Sequence, residues 1–172
     1  MTKFFIFIFT PLIILANPFE NITTFEADFT QSIINNSGKE IRYNGKIYAK
    51  KPYYIYWKYT NPIQKNVYLN KNEVVIIEPE LEQVIISELQ KEINILEMLK
   101  DSKKIATNHY ISQLNNIEYT IFLRDNKLSR ITYMDEIDNK VIIYFENSSQ
   151  NNTLDSKIFK YTIPSEFDII QK

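Results

Sequence analysis

Between Lys39 and Ile86 short apolar segments alternate with tight polar turns at Lys50-Lys51-Pro52, Thr60-Asn61-Pro62, Asn70-Lys71-Asn72 and Glu78-Pro79-Glu80. The intervals leave no room for a crossover helix, so successive strands are expected to be antiparallel neighbours. Ile41, Tyr43, Ile47 and Ala49 mark one face of the first strand, with Gly45 in its middle. A glycine inside a strand marks a bulge, a bend or a close approach by another group. Tyr53–Tyr59 follows with rings on both of its faces, and Gln64–Leu69, Glu73–Ile77 and Leu81–Ile86 complete a meander. A sheet with large apolar groups on both sides must cover both, or use one of them to hold something.

Two stretches break the period of two. Phe19, Ile22, Phe25, Phe29 and Ile33 recur at spacings of three and four, which predicts an amphipathic helix over Pro18–Ile34. Thr23 and Glu26 have the spacing of a capping box. Leu89, Ile93, Leu96 and Leu99 predict a second helix over Ser87–Lys100, continuous or in two pieces. Strands resume over Asn108–Leu114, Ile117–Leu123, Lys127–Met134 and Lys140–Glu146. Asn147–Asn152 reads as a loop, and Ser156–Tyr161 and Phe167–Ile170 as closing strands. A sheet of about nine or ten strands curls as its twist accumulates. The expected fold class is mainly β with helices (α+β): a curved antiparallel sheet forming an incomplete, half-open barrel, with the two helices over its concave side.

Met1–Ala16 has the layout of a secretory signal peptide: Lys3, then an apolar run from Phe4 to Leu15, then Ala16 before the polar Asn17. Residues 17–172 then form a single domain. The chain has no cysteine, which excludes disulfides, a thiol nucleophile and a lipid-modified Cys. One histidine, His109, has no second imidazole to share a metal with, so no metal and no cofactor are expected. A formal net charge of -1 offers no basic footprint for nucleic acid.

The succession of motifs carries a resemblance. Phe25-Glu26-Ala27-Asp28-Phe29-Thr30-Gln31 resembles the N-terminal motif of the periplasmic outer-membrane lipoprotein carrier family, LolA. Gly45-Lys46-Ile47-Tyr48, the Lys50-Lys51-Pro52 hairpin with Trp57, Pro79-Glu80-Leu81-Glu82-Gln83-Val84, Leu96-Glu97-Met98-Leu99 and Phe159–Pro164 resemble later family segments in the same order. The resemblance implies an incomplete barrel with a helical lid and no bond chemistry. It implies a soluble periplasmic chaperone, monomeric, that accepts triacylated lipoproteins from an inner-membrane ABC exporter and delivers them to an outer-membrane acceptor. Where the family usually has arginine before the hairpin proline, this chain has Lys51, which keeps the charge and loses the planar fork. Lys51 is the candidate for lid or release control. Ile55 stands where the family commonly has a phenylalanine facing the cavity.

A carrier of acyl chains needs apolar walls. The expected lipid-binding cavity is lined by Phe25, Phe29, Ile47, Ala49, Ile55, Trp57, Leu69, Val84 and Leu96, with Phe25, Phe29 and Leu96 supplied by the helices as cover. Tyr53, Val67, Val75, Ile77 and Ile86 are further wall candidates, and strand parity alone leaves open which of these face inward. Two other classes compete. An exported carrier of another lipid or glycolipid needs the same walls. A carboxylate-dependent hydrolase would use Glu78, Glu80 and Glu82, or Glu26 with Asp28. No catalytic residues are assigned, because glycine-rich phosphate loops, GxSxG and HExxH are all missing from the chain.

Overall fold

A computed structural model describes residues 17–88 and 95–172. The signal-peptide segment Met1–Ala16 lies outside the described residues, as do Leu89 and Ile93 of the second expected helix. The described chain forms one sheet of twelve strands. In chain order they are β1 (Thr24–Ile34), β2 (Glu40–Lys50), β3 (Tyr54–Asn61), β4 (Lys65–Asn70), β5 (Glu73–Glu78), β6 (Gln83–Glu88), β7 (Lys103–Ala106), β8 (His109–Leu114), β9 (Ile117–Arg124), β10 (Lys127–Met134), β11 (Lys140–Gln150) and β12 (Asp168–Gln171). One short helix, α1 (Ile95–Lys100), lies between β6 and β7. The spatial order is β12-β6-β5-β4-β3-β2-β1-β11-β10-β9-β8-β7. Neighbours are antiparallel except β12, which runs parallel to β6. The sheet is therefore mixed and open, ending at β12 and β7.

The expected N-terminal helix is instead β1, at the centre of the sheet. Phe25, Phe29 and Ile33 are four apart, a spacing that satisfies a period of two as well as a helical one. What decides is pairing: β1 is flanked along its length by β2 and β11, which satisfy its backbone groups on both sides. Phe25, Ala27 and Phe29 then share one face, with Glu26, Asp28 and Thr30 on the other. The supposed capping Thr23 donates its backbone N–H and hydroxyl to Asn151 Oδ1, at 2.8 and 3.1 Å. Only Phe19 and Ile22 lie before the strand, in a turn whose side chains reach the core.

Other boundaries moved for local reasons. Within the second expected helix, residues 87–88 extend β6, and the helix occupies only Ile95–Lys100 of the described part. The expected loop at 147–150 continues β11, because Ser149 and Gln150 pair with Glu26 and Phe25. Ser156–Phe159 is a 3-10 turn rather than a strand, capped by Asp155, whose carboxylate accepts from the Lys157 N–H at 2.9 Å. β7 was not expected: its four residues show no apolar alternation and all are exposed.

The sheet is curved. Trp57 on β3 and Phe145 on β11 are three strand steps apart, about 14 Å across a flat sheet. Their ring centroids lie 6.5 Å apart. A bulge between Asn44 and Gly45 sharpens the bend where β2 meets β3. At Gly45 an added Cβ would collide with the Lys58 carbonyl and lie 2.9 Å from Phe29 Cε1. Glycine is required there chiefly because the Lys58 backbone carbonyl occupies the place of a Cβ, with the Phe29 ring beside it. On the concave face one cluster joins Phe25, Ala27, Phe29, Ile47, Ala49 and Ile55 to Ile121, Ile131, Ile143 and Phe145. A smaller cluster on the convex face, Val75, Ile77 and Val84, is covered by Tyr161, Ile163 and Phe167 of the segment leading to β12.

Candidate functional site: the concave face

Register places the candidate residues in rows across the strands. Phe25, Ala49, Ile55 and Leu69 form one row; Ala27, Ile47, Trp57 and Val67 form the next. Phe29 sits in the following row with Gly45 and Tyr59. The Phe29 ring meets the edges of Trp57 and Tyr59 at 4.9 and 5.1 Å, and Phe25 meets Phe145 at 5.7 Å. Such edge-to-face contacts add about 0.5–1.5 kcal/mol per pair to simple burial. α1 lays Ile95, Leu96, Met98 and Leu99 onto this surface. Phe25 and Phe29 thus belong to the wall rather than to a helical cover, and the helical cover is α1 with Leu96.

Eight of the nine candidate cavity residues share this cluster, with Trp57 partly buried at its margin. Val84 does not. Leu69 faces Val74 across the β4–β5 turn, and Ile76 faces Ile85 across β5–β6. Val74, Ile76 and Ile85 therefore follow the concave face, and Val75, Ile77, Val84 and Ile86 the convex one. Both faces of β5 and β6 are apolar, so alternation in the sequence carried no signal for choosing between them.

Half of the concave wall was not assigned from the sequence. Tyr110, Ile121, Leu123, Ile131, Ile143 and Phe145 come from β8–β11 and are buried in the same cluster. Period-two alternation of these strands was visible. Their place opposite β2–β4 follows only from the pairing of β1 with β11.

The face is also electrically quiet. Tyr59 donates its hydroxyl to Gln31 Oε1 at 3.1 Å, and burial pushes the phenol above its ordinary range. Burial, with Tyr119 and Asp135 nearby, pushes Tyr133 up to about 12. Both stay neutral at any physiological pH. Charges collect at the rims: the Lys65 ammonium lies 4.6 Å from the Tyr59 ring centre. At the opposite rim, Lys51 sits in the β2–β3 hairpin. Its backbone N–H donates to the Thr23 carbonyl at 2.8 Å, and its ammonium lies 3.8 Å from Glu97 Oε1 on α1. Lys100 shares that carboxylate at 3.6 Å.

Three of the carboxylates considered for hydrolysis are engaged with neighbouring side chains. Glu26 accepts from Ser149 and Asp28 from Asn147, while Glu78 accepts from Gln83. His109 stacks on Phe122 at 4.4 Å. Among the described residues no group of three or more His, Asp or Glu side chains is placed to hold a metal ion.

Comparison with known proteins decides the family. Residues 20–115 match the family described as outer membrane lipoprotein carrier protein LolA. The outer-membrane lipoprotein carrier protein of Wolinella succinogenes is 36% identical over 90% of both chains. That of Campylobacter jejuni is 37% identical over 88% of both. This chain belongs to the LolA family. Membership carries the family's general role, periplasmic lipoprotein carriage, and places the protein in the periplasm. Two solved structures share the fold. An uncharacterized conserved protein from Thermus thermophilus gives a TM-score of 0.54 at 12% identity, over 89% of this chain and 93% of that one. A LolA superfamily protein from Nitrosomonas europaea gives 0.53 at 11%, over 82% and 91%.

Proposed function

We propose that this LolA-family chain carries lipoproteins by burying their acyl chains against the concave face. The supporting observation is a continuous apolar and aromatic wall covered, among the described residues, by a helix of six residues and a short N-terminal turn. Each buried CH2 of an acyl chain is worth about 0.8 kcal/mol. Three chains left in water would drive aggregation or return to a membrane. The wall is filled by the protein's own side chains, with Ile47, Ala49 and Ile121 fully buried. Acyl chains therefore enter by displacing α1, and giving up the packing of that helix offsets part of the gain from burying them. That exchange keeps affinity moderate, as delivery requires. The open edges at β12 and β7 let the curved sheet act as an incomplete barrel that can widen.

In this reading the cargo is a triacylated lipoprotein, taken from an inner-membrane ABC exporter and handed to an outer-membrane acceptor. The protein acts as a monomer, without a cofactor and without bond chemistry. Lys51 acts as a latch through Glu97. An ion pair replaces the several carbonyl contacts an arginine fork would make. The test is mass spectrometry of species co-purified with the protein from periplasm. Triacylated lipoproteins are the expected partners. Phospholipid or glycolipid alone would overturn the cargo, and an empty protein that also fails to release lipoproteins from spheroplasts would overturn the carrier reading.

A further inference from the structure

α1 is held by its buried apolar face and by the partly exposed Lys51–Glu97 pair, and its C-terminal end has a further attachment. The residues immediately before β1 supply it. The Asn17 side-chain amide donates to the Lys100 carbonyl at 2.6 Å and the Ser102 carbonyl at 3.1 Å, with the Leu99 carbonyl at 3.5 Å. Lys100 is the last residue of α1, and its carbonyl is one that a helix leaves unsatisfied at its C-terminus; Ser102 lies just beyond it, and the Leu99 carbonyl also accepts the Ser102 N–H and hydroxyl. The orientation of the amide is fixed from behind, because its Oδ1 accepts the Phe19 N–H at 2.9 Å. Phe19 and Ile22 are then sunk into the concave cluster, Phe19 edge-on to Tyr110 at 5.6 Å. Beyond them Thr23 is tied to Asn151, and the chain enters the central strand. α1 cannot lift without breaking the Asn17 bonds or dragging Phe19 off Tyr110.

We infer that Asn17 is a positioning residue for lipoprotein carriage: it pins the C-terminal end of α1 over the concave face, and loading requires this pin to release. The inference rests on the carrier reading for its functional consequence, but not for its physical one. Asn17 is suited to the task because one side chain supplies both a donor pair for the C-terminal end of α1 and the residues just after it, and an acceptor for its own turn. Aspartate at the same position would retain the acceptor and turn a second oxygen toward three carbonyls. Glutamine would keep the amide on a longer arm.

The test compares wild type, Asn17→Ala, Asn17→Asp and Asn17→Gln, each purified from periplasm. The first readout is hydrogen exchange at the Asp101 and Ser102 amides, which bond the Glu97 and Leu99 carbonyls at 2.9 and 3.2 Å. The second is the rate at which a fluorescent fatty acid is taken up. Loss of one or two hydrogen bonds predicts exchange about tenfold faster at those two amides in Asn17→Ala. Uptake should accelerate with it, Asn17→Asp should be faster still, and Asn17→Gln should restore part of the protection. Amides of β1 and β9 should not change. Unaltered exchange at Asp101 and Ser102 in Asn17→Ala would overturn the pin. Equal acceleration throughout the sheet would overturn it too, since Asn17 would then be general scaffold. A wild-type protein that takes up no acyl probe counts against the carrier reading alone, while the exchange comparison still judges the pin.

Discussion

Gly45 shows how much of the concave face depends on single positions. The Phe29 ring and the Lys58 carbonyl occupy the space a side chain would need, and the bulge beside them bends the sheet. Gly45→Ala should therefore cost about 1–3 kcal/mol, the range for overpacking a filled site, read from the urea midpoint of unfolding. Lys51 behaves differently. Its pair with Glu97 is long and partly exposed, so its contribution is about 0.2–1 kcal/mol. Lys51→Leu should leave the urea midpoint nearly unchanged and disturb cargo handover, measured as lipoprotein transfer from spheroplasts. Unimpaired transfer would make the hairpin scaffold only. Tyr133 makes a pH prediction. Its phenol ionises near 10 in the unfolded chain and near 12 in the folded one. Between those values the unfolded state has released a proton that the native state keeps, so stability is intact below pH 10 and falls as pH rises toward 12. Tyr133→Phe should flatten that decline in alkaline melting curves. An unaltered slope would show that Tyr133 is not responsible.

At the scale of elements, α1 is held to the sheet by four buried side chains, Ile95, Leu96, Met98 and Leu99. Leu96 and Leu99 are 2% and 1% exposed, and truncating such a side chain costs about 2–5 kcal/mol where the site cannot collapse. The six described residues of α1 are too few to absorb that loss by themselves. Leu96→Ala should therefore free α1 and raise binding of a hydrophobic dye, while β1 and β11 amides stay protected from exchange. Simultaneous loss of protection in the sheet would mean that α1 is part of the core rather than its lid. The sequence made the hairpins legible, because β2–β6 and β8–β11 carry alternation and turn residues at their ends. It misled over β1, whose phenylalanines at four-residue spacing fit either period. Only the pairing with β11, far along the chain, separates strand from helix. Val84 shows the same limit at smaller range: with apolar side chains on both faces of β5 and β6, parity has nothing to distinguish. β7, all exposed, had no apolar pattern to find.

Over the whole molecule the two clusters have different roles. The convex cluster under Tyr161, Ile163 and Phe167 fixes the segment leading to β12, and with it one edge of the sheet. The concave cluster spans strands from β4 to β8 and, in the proposed reading, is where the chain exchanges its own side-chain contacts for those of a ligand. Both edges are short and exposed, and β7 carries Lys103 and Lys104. Brevity and charge of this kind discourage pairing with another chain. Native-state hydrogen exchange should rank β1 and β11 last to open, with α1 and β7 first. The reverse order would contradict the picture of a rigid wall under a loose cover.

The position of β1 also bears on how the chain crosses a membrane. The first strand to emerge is the central one, yet its second neighbour is made from residues 140–150: the Asn147–Asp28 bond spans 119 positions and the Thr23–Asn151 bond 128. During N-to-C passage β1 can form one hairpin with β2, but its other side stays bare until almost the whole chain is through. Contacts of such long range make folding slow. Completion of the sheet is thus deferred by the chain's own topology until residues 140–150 are free to pair.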